Sequence, residues 1–137
     1  MTTIHALFVP GTPAPQGSKK HVGRGILVES SKALGPWRER VALAAHQRAI
    51  AHQIPPIDGA VAVRLEFVMP RPASTPKRST PPAIKRPDID KLARGILDAI
   101  TGIVFADDSR VTDLHATKRL AEIGETPGVH ITATPID

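Results

Sequence analysis

The chain has 137 residues and no cysteine, which excludes a disulfide framework, a thiol nucleophile and any zinc site built on thiolates. Aromatic residues are almost as scarce: Phe8, Trp37, Phe67 and Phe105, with no tyrosine. Proteins that grip single strands by base stacking need exposed aromatic platforms, and so few rings barely furnish a core. No apolar run reaches the ~18 residues of a membrane span. The opening residues Met1-Thr2-Thr3-Ile4-His5 lack both the basic and the apolar region of a secretory signal, so a cytoplasmic location is expected. Gly11, Gly17, Gly23 and Gly25 do not have the spacing of a phosphate loop or a dinucleotide fingerprint, and there is no nucleophile elbow. The usual nucleotide enzymes are thereby excluded, and no nucleotide cofactor is expected.

What is present is positive charge. A net charge of +5 and a pI near 10.1 point to a polyanionic partner. With so few rings, contact with nucleic acid should run through phosphates and shape. Hydrophobic residues make up 41% and charged residues 23%, as in ordinary folded proteins. The length suits one compact domain over residues 1–137.

Periodicity gives the elements. Residues 4–10 predict a strand, followed by a Pro- and Gly-rich loop that leads to Lys19, Lys20, His21 and Arg24. A short extended stretch is expected over 25–28. Ser30 or Ser31 offers a helix cap, but Gly35-Pro36 favours a start near Trp37, with Trp37, Val41, Ala44 and Ala45 as the buried face. Ile54-Pro55-Pro56 ends that helix. Val61, Val63, Leu65, Phe67 and Met69 alternate with Ala62, Arg64, Glu66 and Val68 and predict the cleanest strand. A second helix is expected over 91–100, a short apolar strand over 103–105, and further strands over 111–118 and 129–134. The resulting order is β-α-β-loop-α-β-β-β, an α+β fold with an α/β-type mixed sheet and two helices.

Residues 70–87 stand apart: six of eighteen are proline, five are Lys or Arg, and none is acidic. They predict a long basic loop lacking helix or strand, placed within the domain. Directly after it come Asp88 and Asp90, and beyond the second helix Asp107 and Asp108. A helix of ten residues runs ~15 Å, and about four strand residues return ~13 Å, so the two pairs can meet. Pro87 favours an extended entry, on which Asp88 and Asp90 point to one side and Ile89 to the core. Such carboxylates suit a hard cation, Mg²⁺ or Mn²⁺, which polarises a phosphodiester and activates water. Asp90, Arg94 and Asp98 share one helix face, with Arg94 placed to reach a phosphate and Asp98 to hold its fork. The plain alternative is equally open: Asp88 as a helix cap, Asp90 as a first-turn acid, an exposed ion-pair row, and Asp107-Asp108-Ser109 as an ordinary turn. His46 and His52 fall on different faces, while His5, His115 and His130 lie in strands and serve structure or solvent.

The run Lys85-Arg86-Pro87-Asp88-Ile89-Asp90-Lys91-Leu92-Ala93-Arg94, then Leu97-Asp98-Ala99, then Ala106-Asp107-Asp108-Ser109-Arg110-Val111 resembles the RusA-type Holliday junction resolvases. The shared pattern is a basic-Pro-Asp-x-Asp start, a basic residue on the helix, Asp-Ala near its end, and Asp-Asp-x-x-Val after the turn. The resemblance implies a homodimeric, Mg²⁺-dependent endodeoxyribonuclease (Mn²⁺ substituting) that nicks four-way DNA junctions symmetrically in recombination and repair, often encoded by phages. It implies Asp88, Asp90 and Asp108 as essential metal-binding acids, with Asp107 beside them. The family's catalytic lysine falls at Arg94, which stays charged and clamps phosphate but does not readily give up a proton. An asparagine frequent after the second aspartate is Lys91 here. DNA contacts are expected from Lys19, Lys20, Arg24, Arg71, Lys77, Arg78, Lys85, Arg86, Lys91 and Lys118. The rival expectation is a non-catalytic basic DNA-binding protein, a phage regulator or a resolvase relic.

Overall fold

Apolar periodicity becomes architecture through β1 (His5–Pro10), the short strands β2 (Lys19–His21) and β3 (Leu27–Glu29), α1 (Leu34–Ala51), β4 (Val61–Met69), α2 (Ile89–Ile100), β5 (Val111–Leu120) and β6 (Gly128–Pro135). A computed structural model describes residues 4–17, 19–21, 27–29 and 32–137, with 19–21 and 27–29 described by their backbone. The main sheet has the order β1-β6-β4-β5, and β2 and β3 form a separate antiparallel ribbon. Strands β4 and β5 are parallel, whereas β1–β6 and β4–β6 are antiparallel. The sheet is therefore mixed and the fold α+β, as the sequence predicts.

The core lies on one face of this sheet. Val61, Val63, Leu65 and Phe67 of β4 and Val129, Ile131 and Ala133 of β6 are all buried there. Successive strand residues alternate faces, so Arg64 and His130 stand on the other side, exposed. The two long helices cover the apolar face. Leu34, Trp37, Val41 and Ala45 of α1 recur at three- and four-residue steps, and so do Leu92, Ile96, Ala99 and Ile100 of α2. His5 completes the core edge, with its Nε2 3.0 Å from the carbonyl oxygen of Pro55. Among the described residues, no helix is long and apolar enough to cross a membrane.

The connection from β4 through α2 to β5 positions everything that follows. Parallel neighbours need a crossover, and here loop 70–87 plus α2 supplies it. The helix thus runs antiparallel to the two strands. One edge of the sheet gathers the end of β4, the basic loop, the start of α2 and the end of β5. The opposite edge gathers the start of β4, the end of α2 and the start of β5.

Three local expectations change. First, α1 begins at Leu34, ahead of Pro36; a proline in the first turn lacks only an N–H that has no intrahelical partner there. Ser30 and Ser31 lie outside the described residues. Second, α2 begins at Ile89, so only Asp88 is extended (φ −70°, ψ 141°) and Asp90 is already helical. Ile89 consequently does not enter the core and is 37% exposed. Third, residues 103–105 form no strand. They fold back on the helix end, with Ile103 and Val104 N–H donating to the carbonyl of Ile100 and Gly102 N–H to that of Phe105 at 2.7 Å.

Gly128, at the start of β6, allows a close approach: a Cβ there would run into the carbonyl oxygen of Val9 and the ring of Phe8. The β1 backbone would have to move, which costs about 1–3 kcal/mol. Gly128→Ala is therefore expected to lower the urea midpoint at unchanged m-value. An unchanged midpoint would mean that β1 yields freely.

Candidate functional site

The edge at the end of β4 and β5 carries Asp88, Asp90, Lys91 and the basic loop. Asp88 is the cap residue of α2, yet its side chain makes no capping hydrogen bond. Asp88 and Asp90 are both exposed. At a helix start the backbone dipole favours their charged forms. A lysine props this turn from below: Lys118 Nζ donates to the carbonyl oxygens of Lys85 and Pro87, each at 2.8 Å. By register Lys118 is paired with Phe67 and so points to the helix-covered face of the sheet. The ammonium expected to meet a DNA phosphate is thus engaged one peptide bond from Asp88, beside the Arg86–Pro87 cis peptide.

A second cation has a comparable role. Arg71 donates to Thr80 Oγ1 (2.8 Å) and to the carbonyl oxygens of Pro76 (2.6 Å), Ser79 (2.7 Å) and Ala121 (3.2 Å). Thr80 in turn donates to Glu122 at 2.6 Å. The guanidinium clips the first half of the basic loop to itself and to the end of β5. Lys77, Arg78, Lys85 and Arg86 remain exposed around it. Lys19 and Lys20 lie on β2, described by backbone alone, and Arg24 lies outside the described residues.

The Pro-Gly loop after β1 docks on α2 and sets its polar face. Gln16 N–H donates to the carbonyl of Lys91 at 3.0 Å, and Gln16 Nε2 donates to the carboxylate of Asp98. Ala14 closes over Gly95, where an added Cβ would stand 3.4 Å from the Ala14 oxygen. Asp98 therefore pairs with Gln16 and does not hold the fork of Arg94. Arg94 is exposed and lies over Gly17, whose missing Cβ would sit 2.9 Å from Nη1. Among the described residues Arg94 forms no ion pair, so its charge faces outward beside Asp90.

The second aspartate pair is elsewhere. Asp107 caps the short 3₁₀ turn Asp108–Arg110, accepting from Ser109 N–H at 3.0 Å. The Ser109 side chain and backbone hold the Asp107 carboxyl below its ordinary range. Arg110 reaches Asp58, just before β4, at 3.3 Å. Asp107 and Asp108 thus sit at the opposite edge of the sheet from Asp88 and Asp90, separated by the length of α2, about 18 Å for twelve helical residues. The expectation that the pairs meet within the chain fails because residues 103–105 do not return along the helix. Among the described residues, no three acidic or imidazole side chains are close enough together to hold a metal ion. By chemistry the donors suit Mg²⁺, being hard carboxylate oxygens; by placement one chain supplies only half of the set at each edge.

The outer edge of β5 pairs with no strand among the described residues, and residues 112–115 of it are exposed, Leu114 by 46%. On the helix-free face, Arg119 bridges Glu125 (2.7 Å) and Glu66 (3.1 Å). Its guanidinium, aided by Glu122 N–H, pulls Glu125 down to about 2. A carboxylate depressed in the folded state contributes stability above its unfolded value near 4.3, and that contribution is lost as pH falls toward 2. Because the pair is partly exposed, about 1 kcal/mol is expected. Glu125→Gln should lose that amount at pH 7 and flatten the decline between pH 5 and 2, read by urea unfolding across pH. An unaltered acid limb would contradict the assignment.

A family model described as endodeoxyribonuclease RusA matches residues 10–134, nearly the whole chain. Comparison with individual curated proteins gives no match.

Proposed function

Because the chain belongs to the RusA endodeoxyribonuclease family, we propose that it is a metal-dependent, structure-selective endonuclease that resolves four-way DNA junctions by paired nicks, in recombination and repair. One observation carries this reading: an exposed aspartate pair sits at the C-terminal edge of a parallel strand pair, directly after a loop with five cations and no acid. That edge is where open α/β sheets bind ligands. The loop cations draw the phosphate backbone in and set its register. Mg²⁺, held by Asp88 and Asp90 and completed by Asp108 with Asp107, would polarise the phosphodiester and activate the attacking water. Arg94, its charge facing outward beside Asp90, stabilises the charge that develops on the phosphate. Hydrolysis then adds water across the bond to leave a 5′-phosphate and a 3′-hydroxyl.

The placement of the acids supports a homodimer. A two-fold axis near the middle of β5, with its open edge paired antiparallel to the same edge of a second copy, would carry Asp108 of one chain toward Asp88 and Asp90 of the other. It would create two equivalent sites for the two equivalent strands of a junction. A non-catalytic junction-binding protein is the reading that the separated aspartate pairs favour for a chain acting alone.

Cleavage of an immobile four-way junction, beside linear duplex of the same sequence, tests the proposal. Paired nicks in opposing arms with Mg²⁺, abolished by EDTA and absent on the duplex at ~0.15 M salt, are expected. Tight binding without any cut in Mg²⁺ or Mn²⁺ would establish the binding protein instead.

A further inference from the structure

Beside Asp88 the fold forms an open cavity of about 860 Å³ that the phosphate-centred mechanism does not use. It lies between the Pro-Gly loop after β1 and the basic loop. Its lining is mostly apolar: Met69 is only 7% exposed, and Leu120, Pro13 and Pro70 also contribute. Ser74 and Thr75 add hydroxyls to the lining, while Lys85, Arg86 and Asp88 bring the lining to the site itself.

We propose that this cavity receives one unstacked nucleobase of the junction, next to the phosphate that is cut, and so gives the enzyme a base preference. The inference rests on the endonuclease reading above. The volume falls in the range of sites that bury small ligands, about 300–1,000 Å³. The occupant follows from three features. The walls are compact apolar proline rings and a thioether, surfaces against which a base plane packs without an aromatic partner. The exposed cations Lys85 and Arg86 stand where the phosphate of an inserted nucleotide must remain in solvent. Adjacency to Asp88 places that nucleotide at the reaction. Bases at a junction crossover unstack at lower cost than bases inside an arm, because the strand exchange interrupts stacking on one side of the pair. The Ser74 and Thr75 hydroxyls are then the groups that meet the hydrogen-bonding edge of the base.

The test uses full-length protein and a set of four-way junctions in which each base flanking the cut is varied in turn. The wild type should prefer one base at one position by about tenfold or more, the scale of a specific base contact. Ala83→Leu narrows the cavity and should reduce the preferred junction to the rate of the others. Thr75→Leu, elsewhere on the same loop, provides the same reading should Ala83→Leu not fold. In EDTA, 2-aminopurine at the preferred position should brighten severalfold on binding wild type, since among the described residues no aromatic ring lines the cavity to quench it, and should brighten less with either variant. Even cutting of all junctions by wild type, or a preference that survives both fillings, overturns the base pocket while leaving the endonuclease intact. No cutting of any junction in Mg²⁺ overturns the endonuclease reading, and the pocket with it.

Discussion

Chains carrying Asp90→Asn mixed with chains carrying Asp108→Asn are expected to recover nicking that neither variant performs alone. Each variant by itself should fall below about one hundredth of the wild-type rate, since even a group that merely supports a metal ligand costs 10–100-fold when removed. Junction binding should survive in both, because the cations proposed to hold the phosphates are untouched. The recovery follows from the proposed two-fold. If a site takes Asp88 and Asp90 from one chain and Asp108 from its partner, a mixed dimer places both substitutions in one site and leaves the other whole. Random reassortment makes about half the dimers mixed, so about a quarter of all sites return. A mixed dimer cuts one strand only, and the product should be a nicked junction without paired resolution. Co-expressed chains with different tags, purified through both, give the cleanest measurement. No recovery in a confirmed mixed dimer would place each complete site within a single chain, contrary to the separation of the pairs across α2.

The sequence reading and the structure part company for identifiable reasons. β4 was legible because five apolar residues alternate strictly, and a strand buried on one face admits no other register. The buried stripe of α2 was legible for the same reason at helical period. The start of α2 was not: Pro87 disfavours helix only for the residue before it, so nothing local prevents Ile89 and Asp90 from entering the first turn. Ile103-Val104-Phe105 has strand composition, but its backbone groups are taken by the carbonyl of Ile100 and by the turn at Gly102. That single difference decides whether the two aspartate pairs meet within a chain, and no composition of three residues could reveal it. The partners of Asp98, Arg71 and Lys118 lay equally out of reach. Gln16 meets Asp98 across 82 positions of sequence, Arg71 meets Ala121 across 50, and Lys118 meets Pro87 across 31. What the sequence did expose were the acids and cations themselves, as residue types no core would hold.

Lys118 is where the two views give opposite results, and its replacement should have the second large effect. As a phosphate contact, Lys118→Met would weaken junction binding across all sequences and lower the salt slope by about one. As the prop of the turn before Asp88, the same change should leave affinity and slope nearly intact. It should instead lower cleavage at saturating junction by about 10–100-fold, the usual cost of losing a group that orients a metal ligand. The structure supports the second outcome. An ammonium with two donations committed to carbonyl oxygens at 2.8 Å has little left to offer a phosphate. Removing it leaves the Lys85 and Pro87 carbonyls without their shared donor. Lys118→Arg should recover little, because a wide planar fork does not reproduce a compact donor beneath two converging carbonyls. Single-turnover rates with filter binding over a salt series separate the cases. A fall in affinity with an unchanged cleavage rate would return Lys118 to the DNA surface. A fall in rate alone would make the end of β5 part of the machinery that aims Asp88.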